Sequence, residues 1–418
     1  LIYVCDAIMG SGKSSAAIQY MNDHQNEKFI YVTPYLEEDD RIKENCPALH
    51  FVKPSAAYSK YNHKKIQHTA ALIKQGKNIA TTHQAFGLYT DQMLDDIREH
   101  GYNLIIDEAI SIFAKCEFNV GDIQTLAESG YIRKDENGSY IATGKEYTGS
   151  RLRDAVCMVQ SKNLVRVRDY KSLYYWEMPI ELIKSFQNVF ILTYLFEGQS
   201  MCYHLKIHNI EYTYIHVQKD NGCYRFSSDN KYIPEYVQNI KSKIHILDHE
   251  YLNQADLDWR SQKHSEKALS KGWFESTKNE ERIQELKDDL HMLFNKLWPE
   301  ATAKNSMWGT FKTAERKLRG KGYSNGFVVF NERATNKYRN KKYLAYLANI
   351  FMNVPEKLHY QSSGLYVNED AYALSVLVQW IWRSAIRDGE EIWLYLPSIR
   401  MRRLLTEWMD RLESGQTQ

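Results

Sequence analysis

The chain has 418 residues, 43% of them hydrophobic and 25% charged, with a formal net charge of +2. Such a length favours two or more domains, each able to bury a core, and the composition excludes a disordered or fibrous chain. No apolar run approaches membrane-spanning length and no signal peptide precedes the first strand, so a cytoplasmic protein with no membrane partner is expected.

The chain opens on an apolar strand, Leu1–Cys5, which leads into Ala7-Ile8-Met9-Gly10-Ser11-Gly12-Lys13-Ser14-Ser15 and then a helix-forming run. Strand, glycine loop, Gly-Lys-Ser and helix is the arrangement of a P-loop, here with Ala7 in place of the usual first glycine. The glycines let backbone N–H groups turn toward a polyphosphate, and the helix N-terminus adds positive potential. Gly10, Ser11, Gly12, Lys13, Ser14 and Ser15 are therefore expected to bind ATP, with Lys13 on the β- and γ-phosphates and Ser14 as a Mg²⁺ ligand.

Phe29–Thr33 and Asn78–Thr82 are the next strands. Thr33-Pro34 either meets a phosphate or simply ends its strand. Thr81-Thr82-His83 either does the same or caps a helix. Asn103-Leu104-Ile105-Ile106 is suited to a buried parallel strand and ends in Asp107-Glu108. There Asp107 would hold Mg²⁺ and Glu108 would orient and deprotonate an attacking water.

Tyr131–Ile141 reads as an inserted hairpin turning at Asn137-Gly138 and carrying Arg133 and Lys134. It is either a strand-separating wedge or a surface hairpin of no consequence. Val189–Thr193 and Glu211–Val217 complete the strands of the first half, and a polar stretch, 218–230, resembles a linker. In the second half Ile244–Asp248, Gly326–Phe330 and Glu391–Leu396 are strand candidates. Between them 275–298 reads as an amphipathic helix, with Leu286, Leu290, Leu293 and Leu297 inward and Asp288 and Lys296 outward. The alternation predicts an α/β chain of two parallel-sheet domains, 1–222 and 223–418, flanking a nucleotide cleft, with a β-hairpin insertion in the first and a helical insertion near 255–320 in the second.

The six cysteines form no C-x-x-C pair, which reads as free thiols in a reducing cytosol rather than a zinc site. His204 with His208, and His245 with His249, have helical i,i+4 spacing. No glutamate stands between them and strand-like sequence surrounds them, which reads against a metal.

The order of motifs from Ala7 to about Leu396 resembles a superfamily 2 helicase or translocase, and among these the DNA helicases encoded by phages. Two RecA-like domains, ATP, Mg²⁺ and DNA are what that resemblance implies. By its implication Thr33, Pro34, Thr81, Thr82, His83, Thr335 and Asn336 contact the nucleic-acid backbone. Ile191-Leu192-Thr193-Tyr194-Leu195 resembles the motif coupling hydrolysis to domain movement, with Thr-Tyr-Leu for the usual Thr-Ala-Thr. Gln379-Trp380-Ile381-Trp382-Arg383-Ser384-Ala385-Ile386-Arg387 resembles the arginine-finger motif. Gln379 and Arg383 fit its spacing and Arg387 comes one residue late, although on a helix both arginines would share one side.

The function implied is movement on, or unwinding of, single-stranded or forked DNA in phage replication or recombination, inside a bacterial host and alongside other replication or recombination proteins. The alternative is a nucleic-acid-stimulated ATPase that remodels a protein–DNA complex without unwinding.

Overall fold

The computed structural model describes residues 1–414 except 35, 58–63, 109, 137–139, 150–151, 161–162, 166, 168–172, 230, 250, 255, 259–262 and 331–335. Contacts divide the chain into two units. The first comprises Leu1–Ala7, Gly12–Lys231 and Asn353–Val367; the second comprises Ile8–Ser11, Tyr232–Met352 and Asn368–Gln418.

The first unit contributes β1 (Ile2–Asp6), β2 (Lys28–Thr33), β3 (Ile79–Thr82) and β4 (Tyr102–Asp107). After them come β5 (Phe113–Asn119), β6 (Ile132–Lys134), β7 (Tyr140–Ala142), β8 (Leu164–Val165) and β9 (Leu173–Glu177). Then follow β10 (Val189–Thr193), β11 (Thr213–Asp220) and β12 (Cys223–Ser227). Seven of these form one sheet in the order β12-β11-β1-β10-β4-β2-β3. Its pairings are parallel except β11 with β12. The expected boundary after residue 222 falls between these two paired strands.

A parallel strand covered on both faces reads as a continuous apolar run. β4 shows why: Leu104 and Ile106 belong to the core on one face, and Ile105 to the core on the other. Between β4 and β10 the chain inserts a small lobe, in which β5, β9 and β8 form an antiparallel sheet beside the β6–β7 hairpin. The lobe has its own core, including Cys116, Ile123, Leu126, Ile132 and Val156. The predicted hairpin is thus one part of a larger insertion. Its strands pair Arg133 with Ile141, and its predicted turn at 137–138 lies outside the described residues.

His204 lies on the Ser200–Ile207 helix, with His208 as its C-cap, so the strand-like surroundings expected there are replaced by helix. His245 does sit on a strand, described next.

The second unit contains β13 (Ile244–Ile246), β14 (Leu257–Asp258), β15 (Lys263–His264), β16 (Ser306–Gly309), β17 (Tyr343–Tyr346) and β18 (Ile392–Tyr395). Four of them form a parallel sheet, β13-β18-β17-β16. β16 falls inside the range expected to be a helical insertion, and β17 was not foreseen. The expected strand at Gly326–Phe330 is instead a 3₁₀ turn, Ser324–Gly326, followed by a single bridge from Phe327 to Trp308. Side chains take its carbonyls where a neighbouring strand would have: Trp380 donates to Val328 O at 3.2 Å and Arg383 to Val329 O at 3.4 Å.

The long helix spans Glu280–Met292 and continues as a π-helical turn, Leu293–Leu297. Glu280 and Glu281 complement the dipole at its start. Leu286, Leu290 and Leu293 are buried as expected, but Leu297 is 37% exposed. The wider i→i+5 turn, closed by Trp298 N–H to Leu293 O at 2.9 Å, carries Leu297 off the buried face and brings Trp298 onto it.

On this helix burial, with repulsion from Glu285 and Asp288, raises the Asp289 carboxyl to about 7, against a long hydrogen bond from Tyr395 at 3.5 Å. The folded pKa lies above the unfolded one, so ionisation penalises folding from about pH 4 upward, and the penalty is complete above about pH 7. Asp289→Asn should therefore stabilise the protein by ~1–2 kcal/mol at pH 8, a figure already reduced for partial exposure, and by almost nothing at pH 4. Thermal unfolding at the two pH values checks this; an equal shift at both would contradict it.

Candidate active site

β1 delivers the chain into the glycine loop. Gly10 (φ 80°) and Gly12 (φ 88°) occupy the left-handed region that L side chains disfavour. Gly12 is doubly constrained, because a Cβ there would lie 2.2 Å from the Tyr224 ring. It caps the Lys13–Asp23 helix, and its carbonyl accepts from Ala16 N–H at 2.8 Å. Ser14 and Ser15 thus open that helix, and Ser11 is fully buried. Lys13 donates its ammonium to Ala7 O. Burial pulls the Lys13 pKa down, opposed by Cys5, Asp107, Asp6 and Glu108.

β4 delivers Asp107 to the carboxyl end of the sheet, two strands from β1 with β10 between them. In open α/β sheets this edge is where ligands bind. Asp107 Oδ2 accepts from Ser14 Oγ at 2.8 Å and from Tyr31 OH at 2.6 Å. Burial raises the Asp107 pKa, while those two hydroxyls and Lys13 pull it down. His83 Nε2 donates to the Asp107 backbone carbonyl at 2.9 Å. Glu108 follows in the left-handed region at φ 65°, held there by its N–H to Leu192 O at 3.0 Å. For a residue with a Cβ that conformation costs about 1–2 kcal/mol.

β10 completes the edge. Thr193 Oγ1 donates to Gln199 Oε1 at 2.7 Å. Asp6, at the end of β1, accepts from Leu195 N–H at 2.8 Å and Phe196 N–H at 2.9 Å. The loop resembling the coupling motif is thereby bonded to the strand that launches the glycine loop.

The structure brings Lys13, Ser14, Asp107 and Glu108 together in the first unit, where hydroxyl and carboxylate oxygens supply the hard donor set suited to Mg²⁺. The expected nucleic-acid contacts divide. Thr33 and Thr81 are fully buried, with hydroxyls that lack a hydrogen-bond partner among the described residues, so neither faces solvent. Their strands carry them inward at the sheet's carboxyl end. His83 is buried against Asp107, so it braces the acid. Thr82 caps the His83–Phe86 helix by accepting from Ala85 N–H at 3.4 Å, and Pro34 is half-buried. Thr335 lies outside the described residues, as does the Asn336 side chain.

In the second unit the Glu369–Ile381 helix ends before Arg383, and Arg387 sits on a separate 3₁₀ turn, Ala385–Asp388. The two arginines therefore do not share a helix face. Arg383 is buried against Val329 O, Arg387 is exposed, and Gln379 donates to Ser375 Oγ at 3.0 Å.

Sequence reasoning missed Tyr31, Asp6 and Gln199. A tyrosine in the middle of a fully buried strand needs a partner for its hydroxyl, and that was the available signal for Tyr31. An acid immediately before the glycine loop was the signal for Asp6.

A relative from Bacillus subtilis (strain 168), the SPbeta prophage-derived uncharacterized protein YonV, is 34% identical over 420 residues, covering 98% of each chain. The chain belongs to the YonV family. Residues 238–409 match the YonV C-terminal Rossmann-like domain, in keeping with the parallel sheet of the second unit. Two solved structures are also similar along their length. "XPD_Helicase" is 11% identical at a TM-score of 0.44, covering 97% of this chain and 94% of that one. "Structure of S. tokodaii Xpd4" is 12% identical at a TM-score of 0.46, with the same coverage of 97% and 94%.

Tyr31→Phe removes one of the two hydroxyls that hold Asp107. It should weaken Mg²⁺-dependent nucleotide binding about tenfold with the fold intact. Nucleotide titration at several Mg²⁺ concentrations measures this; unchanged Mg²⁺ dependence would contradict the bracing role.

Proposed function

We propose that the chain hydrolyses ATP to drive movement on DNA, as a motor of the superfamily 2 helicase or translocase type. The observation that carries the reading is the 2.8 Å bond from Ser14 of the glycine loop to Asp107, with Glu108 next in the chain and locked at positive φ. Ser14 and Asp107 would hold Mg²⁺, which would neutralise phosphate charge. Lys13 would exchange the Ala7 carbonyl for phosphate oxygens. Glu108, partly exposed beside the buried Asp107, would orient water and take its proton.

Of the two candidate arginines, Arg387 is exposed and so better able to meet a phosphoryl group than the buried Arg383. The DNA contact is assigned to Thr82, with Pro34, Thr335 and Asn336 as further candidates from the sequence resemblance. Short polar residues at strand ends suit phosphates rather than base edges. The prophage origin of the Bacillus subtilis relative favours a phage-encoded protein acting in a bacterial host's cytoplasm, beside replication or recombination partners.

The test is ATP turnover by the purified chain with and without single-stranded DNA, forked DNA and RNA, paired with Glu108→Gln. Turnover should rise with DNA, and more steeply at low salt. Glu108→Gln should bind nucleotide normally and lose ~10²–10⁴-fold in turnover. Near-normal turnover in that variant would remove the base assignment. DNA-stimulated turnover with no strand displacement on the fork would point to the remodelling ATPase instead.

A further inference from the structure

Away from the nucleotide loop, the first unit gathers three histidines around one carboxylate. Glu177 ends β9, His204 and His208 close the Ser200–Ile207 helix, and His359 lies on the Val354–Ser362 helix. Glu177 Oε1 is 3.1 Å from His204 Nδ1 and 4.0 Å from His208 Nε2, and Glu177 Oε2 is 3.2 Å from His359 Nε2. The ligating atoms of Glu177, His204 and His208 all lie within 4.8 Å of one another. A tetrahedral zinc ion with bonds of ~2.0–2.1 Å sets its ligand atoms ~3.3 Å apart. The separations of Glu177 Oε1 from His204 and His208, 3.1 and 4.0 Å, bracket that value.

We propose that Glu177, His204 and His208 bind one zinc ion, with His359 set against the second oxygen of Glu177. Two imidazoles and one carboxylate supply three of zinc's four positions, and i,i+4 histidines on a helix present two ligands from one face.

Two buried ring nitrogens, His204 Nε2 and His359 Nε2, lack a hydrogen-bond partner among the described residues, although His359 Nε2 lies 3.2 Å from Glu177 Oε2.

The ligands come from two stretches, the end of the inserted lobe and the helix after β10, and His359 reaches the same carboxylate from a late segment of the unit. A zinc ion there would staple the lobe to the main sheet. The cysteines gave no such signal, and Glu177 stands 27 residues before His204 with nothing in the sequence to join them.

The test uses the full chain, purified without chelator for metal analysis and then stripped and titrated with zinc chloride. One zinc per chain is expected, with a thermal midpoint that falls on stripping and returns with zinc. His208→Gln should weaken zinc at least tenfold while circular dichroism confirms a folded chain. His208 is half-exposed, so that variant can fold. Alkylating the thiols should leave zinc binding unchanged. Failure of the folded wild-type chain to take up zinc, equal affinity in His208→Gln, or loss of the ion on alkylation would each overturn the proposal.

Discussion

The buried carboxylate of Asp107 is the group around which the first unit's site is organised. A carboxylate taken out of water is costly unless it is hydrogen-bonded. Two hydroxyls offset that cost at one oxygen, Ser14 from the glycine loop and Tyr31 from β2, while His83 holds the Asp107 backbone carbonyl. Three elements are thus referred to one residue at the end of β4. Burial also pushes the two charges of the site in opposite directions, raising Asp107 and lowering Lys13. Each charge is disfavoured without a ligand of opposite sign, a condition that a cation bound together with a polyphosphate relieves.

Two backbone features sit on the same edge. Glu108 and Leu195 are both non-glycine residues at positive φ, 65° and 57°, and each follows the end of a central strand. Glu108 is held by Leu192 O, and Leu195 by the Asp6 carboxylate. Strain of this kind persists only where surrounding bonds over-determine it, and it gathers at functional sites. Asp6 also ties the loop after β10 to β1. A shift in the glycine loop and a shift in the Thr193–Leu195 loop therefore share one hydrogen-bonding anchor.

Much of the first unit was legible in the sequence. Continuous apolar runs such as Leu104–Ile106 mark strands buried on both faces, and the Gly-Lys-Ser loop announces its own geometry. What failed did so where side chains or local helix geometry replaced the regular pattern. Gly326–Phe330 has strand composition, yet Trp380 and Arg383 occupy its carbonyls. Leu297 has the right spacing, yet a π turn rotates it outward. Arg387 is four residues from Arg383, yet the helix stops at Ile381. Thr33 and Thr81 stand at strand ends but are buried there, which residue type alone does not reveal. The His204–His208 pair was visible but read against a metal, because Glu177 and His359 join it only through the tertiary fold.

The account rests on Asp107 and Ser14 holding a metal–nucleotide pair. The most direct measurement is equilibrium binding of a fluorescent ATP analogue to the full chain, with and without Mg²⁺, for the wild type and Asp107→Asn. The account predicts wild-type binding that Mg²⁺ tightens and unlabelled ATP displaces, with the Mg²⁺ effect lost in the variant. Equal affinity with and without Mg²⁺ in the wild type, or an undiminished Mg²⁺ effect in Asp107→Asn, would contradict it.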